Sequence, residues 1–253
     1  MILAILQARV SSSRLPGKVL KPILGKPMLV HQIERVRRSA GIGKLVVATS
    51  TEASDNPLET LGREHGFEVF RGSLNDVLDR FYQVAAMHNP DQIIRLTGDC
   101  PLIDPALVEE LIGFHAAGKY DYSSNSHEPT LPDGMDAEIF TFASLAEAWR
   151  EAKLASQREH VTPFIEGQPE RYRIGNLKYG RDLSHLRWTV DEADDFEVVQ
   201  AIFAELYPRN PGFGMADILE FLERNPGLKT KNTHHARNEG YLKSLQAEEG
   251  RKP

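Results

Sequence analysis

The chain has 253 residues, 41% of them hydrophobic and 26% charged, an ordinary globular composition that at about 150 residues per domain allows one or two domains. With 30 Lys and Arg against 36 Asp and Glu the net charge is −6, which argues against a general nucleic-acid binder. Cys100 is the only cysteine, so an intrachain disulfide and a four-thiolate zinc site are both excluded.

The apolar opening, Met1–Leu6, is too short for a secretory signal, and no stretch approaches the roughly 20 apolar residues that span a bilayer. The expectation is a cytoplasmic protein with no membrane partner. Ile2–Ala8 reads as a fully buried strand and Pro27–Arg38 as a helix with Met28, Leu29, Ile33 and Val36 on one face. Leu45–Thr49 is a second strand, and Asp55 or Asn56 starts a helix with Pro57 in its first turn. Glu68–Phe70 is a short strand. Asn75 is expected to cap a helix whose apolar face is Val77, Leu78, Phe81, Val84 and Ala85. Ile93–Leu96 and Pro105–Ala117 continue the alternation of strand and helix.

The second half is less regular. Tyr120–Ser124 and Ala137–Thr141 are strand-like around a Pro/Gly/Asp-rich loop, His127–Asp136, and Ala143–Ala152 is helical. Tyr172–Leu177 and Leu186–Val190 read as strands; Glu192–Tyr207, Met215–Asn225 and a polar Glu239–Glu249 read as helices, with residues 251–253 expected to fray. Alternating strands and helices of this length predict an α/β fold with a mostly parallel sheet flanked by helices. The chain is expected to be one domain, 1–253, in which residues 120–165 form an inserted arm. Ligands of such sheets sit outside the carboxyl ends of the strands, so the loops after Ala8, Thr49, Phe70 and Leu96 are the candidate site.

The most informative segment is Gln7-Ala8-Arg9-Val10-Ser11-Ser12-Ser13-Arg14-Leu15-Pro16-Gly17-Lys18, which follows the first strand. Arg9, Arg14 and Lys18 place three cations within ten positions of a small-residue loop, a combination of dipoles and charge that suits a polyphosphate. Lys18 is followed by Val19, so this is not a Walker A loop. This segment, followed by Gly25-Lys26-Pro27-Met28, resembles the signature of sugar cytidylyltransferases, the acylneuraminate and 3-deoxy-manno-octulosonate enzymes, and within them the spore-coat polysaccharide branch. The resemblance continues through Arg71-Gly72-Ser73, Asp76–Phe81, Thr97–Pro105, Pro132–Asp136, Glu159–Pro163, Thr189-Val190-Asp191 and Asn238–Leu242, in order along nearly the whole chain.

The resemblance implies a Rossmann-like, nucleotide-diphospho-sugar transferase-like fold whose arm makes a homodimer, and transfer of CMP from CTP to a sugar hydroxyl with release of pyrophosphate, for surface polysaccharide synthesis. It implies that Ala8, Arg9, Arg14, Lys18 and Thr97 contact the nucleotide, and that Arg71, Ser73 and Asp76 lie near its base and ribose. Asp99 and Asp191 match the aspartates that bind Mg²⁺, with Arg14, Lys18 and Asp99 catalytic. The residues agree: Asp99 follows the strand Ile93–Leu96, so it stands at a strand's carboxyl end, and Mg²⁺ takes carboxylate and phosphate oxygens. Asp136, Glu138, Glu159 and His160, the last read as standing at a helix start, are candidates for the sugar side. Two other readings stay open, a GT-A glycosyltransferase and a non-catalytic nucleotide-sugar-binding protein. Asp99-Cys100-Pro101 lacks the D-x-D of the first, and a sensor has no need of the Asp99/Asp191 pair. Cys100, Trp149 and Trp188 read as packing residues, and His234-His235 as a solvated surface pair.

Overall fold

The computed structural model describes residues 1–250; the expected fraying of 251–253 lies outside the described residues. Strand β1 (Ile2–Gln7) leads to a small hairpin, β2 (Pro22–Ile23) and β3 (Lys26–Pro27), and then to α1 (Met28–Val36). β4 (Lys44–Ser50), α2 (Asn56–His65), β5 (Glu68–Gly72), α3 (Val77–His88), β6 (Gln92–Thr97) and α4 (Pro105–Gly118) complete the alternating half. The second half contains β7 (Tyr122–Ser124), β8 (Glu138–Thr141), α5 (Phe142–Glu151), α6 (Ala155–His160), α7 (Pro163–Glu166), β9 (Ile174–Asn176), α8 (Ala193–Leu206), α9 (Met215–Glu223), α10 (Pro226–Lys229) and α11 (Glu239–Glu249).

Seven strands form one sheet in the order β5-β4-β1-β6-β8-β7-β9, in which β8 alone runs against its neighbours. Alternation along the central strands feeds two cores. Ala4 and Leu6 of β1 pack with α1, α4, α8 and α9, while Leu3 and Ile5 pack on the opposite face with α3 and α5. Burial of both faces explains why the opening strand is an unbroken apolar run. The chain steps from β1 outward to β4 and β5, then returns to place β6 on the other side of β1. This reversal opens a crevice beyond Gln7 and Thr97. Gly98 seals its floor: the Gly98 amide donates to the Gln7 carbonyl at 2.8 Å, and a β-carbon there would stand 2.9 Å from that of Ala8.

Three expectations are corrected. Asp76, not Asn75, caps α3, its carboxylate accepting the Asp79 amide at 2.9 Å. Leu186–Val190 makes only an isolated bridge, Arg187 to Asp133, because its partners are loops rather than a neighbouring strand. His160 ends helix α6 instead of starting one. Within residues 120–165, β7 and β8 are inner strands of the sheet, Phe140 is fully buried, and Phe142, Trp149 and Phe164 pack, partly buried, on the second core. No helix among the described residues is long and apolar enough to cross a membrane.

Candidate active site

The crevice is a cleft of about 750 Å³, within the range of small-molecule sites. Its floor and one wall are the loop after β1, which contributes Ala8, Arg9, Arg14 and Lys18, together with Thr97 and Asp99 after β6. The loop is anchored from below by Asp55. This buried carboxylate does not cap α2 through its side chain; it accepts the Val10 amide at 2.7 Å and the Ser50 amide at 3.1 Å. Burial opposes its charge, but these donors, with the Ser50 hydroxyl, hold its pKa below the usual carboxylate range.

Lys18 is the electrostatic centre. Its ammonium donates to the Val190 carbonyl at 2.7 Å and to Asp191 Oδ1 at 2.8 Å, and lies 3.7 Å from Asp99 Oδ2. Burial alone would lower the Lys18 pKa, yet Asp99 and Asp191 outweigh it and hold the amine charged. Asp99 is likewise disfavoured by burial and returned to the ionised side by Lys18. Arg14 also pairs with Asp191, at 2.8 Å, and reaches Glu239 of α11 at 3.4 Å.

A buried network positions Asp191. Arg187 pairs with both oxygens of Asp195 at 2.8 and 2.9 Å and with Asp133 at 2.9 Å, and approaches Asp191 at 3.5 Å. Asp195, not Asp191, serves the start of α8, accepting the amides of Asp191 and Glu192 at 2.9 and 3.0 Å. That leaves the Asp191 carboxylate free to face Lys18. Gly134 lets the 127–136 loop approach: its φ is +103°, and a β-carbon there would come within 2.4 Å of the Thr189 amide.

The far wall carries Asp136, Glu138, Glu159 and His160. Glu138 forms an ion pair with Arg95 and accepts from Tyr122 at 2.8 Å and Thr162 at 2.6 Å. Burial raises the carboxyl pKa of Asp136 against the pull of Arg237, with which it is paired. Burial lowers the His160 pKa, and its Nε2 meets Ser244 of α11 at 3.1 Å. Cys100 is buried and donates to Asp99 Oδ1 at 3.4 Å; burial pushes its thiol pKa well up.

The cleft therefore gathers Ala8, Arg9, Arg14, Lys18, Thr97, Asp99, Asp136, Glu138, Glu159, His160 and Asp191. It does not gather Arg71, Ser73 and Asp76, which are engaged in structure beside it. Arg71 bonds the carbonyls of Ser50 and Glu52, and Ser73 Oγ accepts the Asp76 amide. Asp76, besides capping α3, is clamped by Arg158 at 2.6–3.0 Å. Missed by the sequence reading are Gln7, whose buried Oε1 has no partner among the described residues, the Arg187–Asp195 network, and Tyr241. Gln7 stands inside the recognised motif, whereas the network is completed by Asp133 and Asn232, 54 and 37 residues from their partners, which gave no local signal.

Asp99 and Asp191 offer hard oxygen donors converging on a single cation and partly open to the cleft, at 29% and 16% side-chain exposure. This donor set fits a divalent ion held jointly with phosphate oxygens.

A model of the cytidylyltransferase family matches residues 3–223. The spore coat polysaccharide biosynthesis protein SpsF of Bacillus subtilis is 37% identical over 91% of this chain and 97% of its own. A cytidylyltransferase structure from Leptospira borgpetersenii, 32% identical, superposes with a TM-score of 0.86 over 91% of this chain and 97% of that one. A CMP:2-keto-3-deoxy-manno-octonic acid synthetase complexed with CTP shares the fold, with a TM-score of 0.63 at 22% identity over 81% of this chain and 98% of its own. The chain belongs to the cytidylyltransferase family.

Proposed function

We propose that this protein transfers CMP from CTP to a sugar hydroxyl, releasing pyrophosphate, in the synthesis of a surface polysaccharide. The observation that carries the reading is the convergence of Asp99 and Asp191 on the buried Lys18, directly beside the loop bearing Arg9 and Arg14. In this reading Lys18 and Arg14 bind the triphosphate, exchanging their carboxylate partners for phosphate oxygens. Asp99 and Asp191 hold Mg²⁺. The ion, when bound, neutralises the charge that builds on the phosphates as pyrophosphate leaves.

The sugar hydroxyl attacks the α-phosphorus directly as the bond to the departing pyrophosphate breaks, its proton passing to solvent, so no covalent nucleophile is required and the buried Cys100 thiol takes no part. Ala8 and Thr97 flank the nucleotide, and Asp136, Glu138, Glu159 and His160 form the wall against which the sugar is oriented. CTP is a cytoplasmic metabolite, which places the enzyme in the cytoplasm in this reading. The homodimer rests on family likeness, with Phe140 buried within one chain and Phe142, Trp149 and Phe164 partly buried against the same core; light scattering at micromolar concentration tests it.

Pyrophosphate release, measured with each of the four nucleoside triphosphates against acidic, neutral and amino sugars, tests the function. Turnover is expected with CTP and one class of sugar, and only with a divalent ion. Equal turnover with all four nucleotides removes the cytidine assignment, and no release with any sugar removes the transferase.

A further inference from the structure

We propose that Asp194, His234 and His235 form a metal site for a divalent transition ion such as Zn²⁺, separate from the carboxylates of the cleft. The two histidines lie in the segment that leads from α10 to α11, and the fold lays that segment across the first turn of α8. His235 Nε2 stands 3.0 and 3.1 Å from the two oxygens of Asp194, and His234 Nε2 stands 3.5 Å from Oδ2. The imidazole centroids are 4.0 Å apart, and one donor atom from each residue lies within 4.8 Å of the other two.

Donors placed about 2.0–2.2 Å from a tetrahedral zinc stand roughly 3.3–3.5 Å from one another, so the present spacings need only small side-chain adjustments. Two imidazoles and a carboxylate leave one position to water and select Zn²⁺, Co²⁺ or Ni²⁺ over Mg²⁺. The oxygen-only pair Asp99 and Asp191 has the opposite preference. The Asp195 amide donates to Asp194 Oδ1 at 3.0 Å and so fixes the carboxylate from behind. Among the described residues, the ion-pair contacts of Asp194 are with these two histidines only.

The position gives the ion a structural consequence. Asn232, buried two residues before His234, donates to Asp195 Oδ1 at 2.8 Å and to the Arg187 carbonyl at 3.1 Å. An ion on the outer side would clip the same segment a second time, just ahead of Asn238–Tyr241, which line the cleft.

The test is isothermal titration of Zn²⁺ into the untagged, metal-stripped full chain in millimolar Mg²⁺. One ion per chain is expected, bound about 10-fold or more weakly in His234→Ala and in His235→Ala and unchanged in Asp191→Asn. Zn²⁺ is expected to raise the melting temperature of the wild type but to leave that of the double histidine variant at its own metal-free value. Loading with Co²⁺ is expected to give visible absorption of tetrahedral intensity. Equal Zn²⁺ affinity in the wild type and the double variant, or loss of the ion on Asp191→Asn alone, overturns the site.

Discussion

The Val190 amide donates to the Asp99 carbonyl at 2.8 Å, and the Thr189 hydroxyl reaches the same oxygen at 3.2 Å. Two segments 90 residues apart are thereby stitched backbone to backbone, and the side chains beside the stitch, Asp99 and Asp191, both reach the Lys18 ammonium. The pairing of the carboxylates is thus built into the main chain, independent of whether either side chain is charged. Asp99→Asn and Asp191→Asn should both fold, with melting temperatures within a few degrees of wild type. Each removes a formal charge from the donor pair, so Mg²⁺-dependent pyrophosphate release should fall about 100-fold, roughly 3 kcal/mol of transition-state stabilisation. Near-normal turnover in both variants would place the metal elsewhere.

Lys18→Ala leaves two carboxylates facing each other and the Val190 carbonyl without its donor. The lost hydrogen bond and uncompensated charge should cost about 1–3 kcal/mol, a fall of several degrees in melting temperature for a chain of this length. Mg²⁺ can replace the missing charge, so it should raise the melting temperature of Lys18→Ala more than that of wild type. A Mg²⁺ shift no larger than in wild type counts against a shared cation site at Asp99 and Asp191.

The alternating half of the fold was legible because β1 and β4 carry unbroken apolar runs and the intervening helices repeat their apolar residues at helical spacing, and the basic loop after β1 because its cations are close in sequence. What could not be read was set by long-range partners. Asp76 sits in a recognised motif, but its engagement by Arg158 closes a contact over 82 residues. Leu186–Val190 alternates apolar residues with Arg187 and Thr189 as a strand does, yet strand assignment needs a neighbouring strand, and the loop at Asp133 is not one. The intrachain partners of aromatic residues in 120–165, such as Tyr82 of α3 for Trp149, are likewise invisible in a local window.

That last point has a direct test in Trp149. Its ring stacks on Tyr82 with centroids 3.9 Å apart, and its indole nitrogen donates to Asp79 at 2.9 Å. Trp149→Ala should therefore destabilise the chain itself by about 2–3 kcal/mol, through lost packing and an abandoned acceptor. The molecular mass from light scattering should be the same in variant and wild type. A halved mass with an unchanged melting temperature would make Trp149 part of a dimer contact instead.

The acid limb of stability is expected to carry the signature of His115. This side chain, on α4, is fully buried; Nδ1 meets Ser123 Oγ at 3.0 Å, and Nε2 has no partner among the described residues. Burial outweighs the pull of Asp121 and lowers its pKa from 6.5 to about 4. Below pH 6.5 the unfolded chain takes up a proton that the native imidazole refuses, so falling pH favours unfolding. The stabilising contribution is complete above pH 6.5 and is lost progressively down to about pH 4. At 1.36 kcal/mol per unit it amounts to about 3 kcal/mol. His115→Gln offers the Ser123 hydroxyl a polar partner without titrating, so its denaturation midpoint should change less between pH 7 and 4.5 than that of wild type. Carboxylates titrate alike in both proteins, which makes the difference between the two curves the contribution of His115. Parallel curves would mean that the imidazole gains its proton without unfolding, through local opening of the contact between α4 and β7.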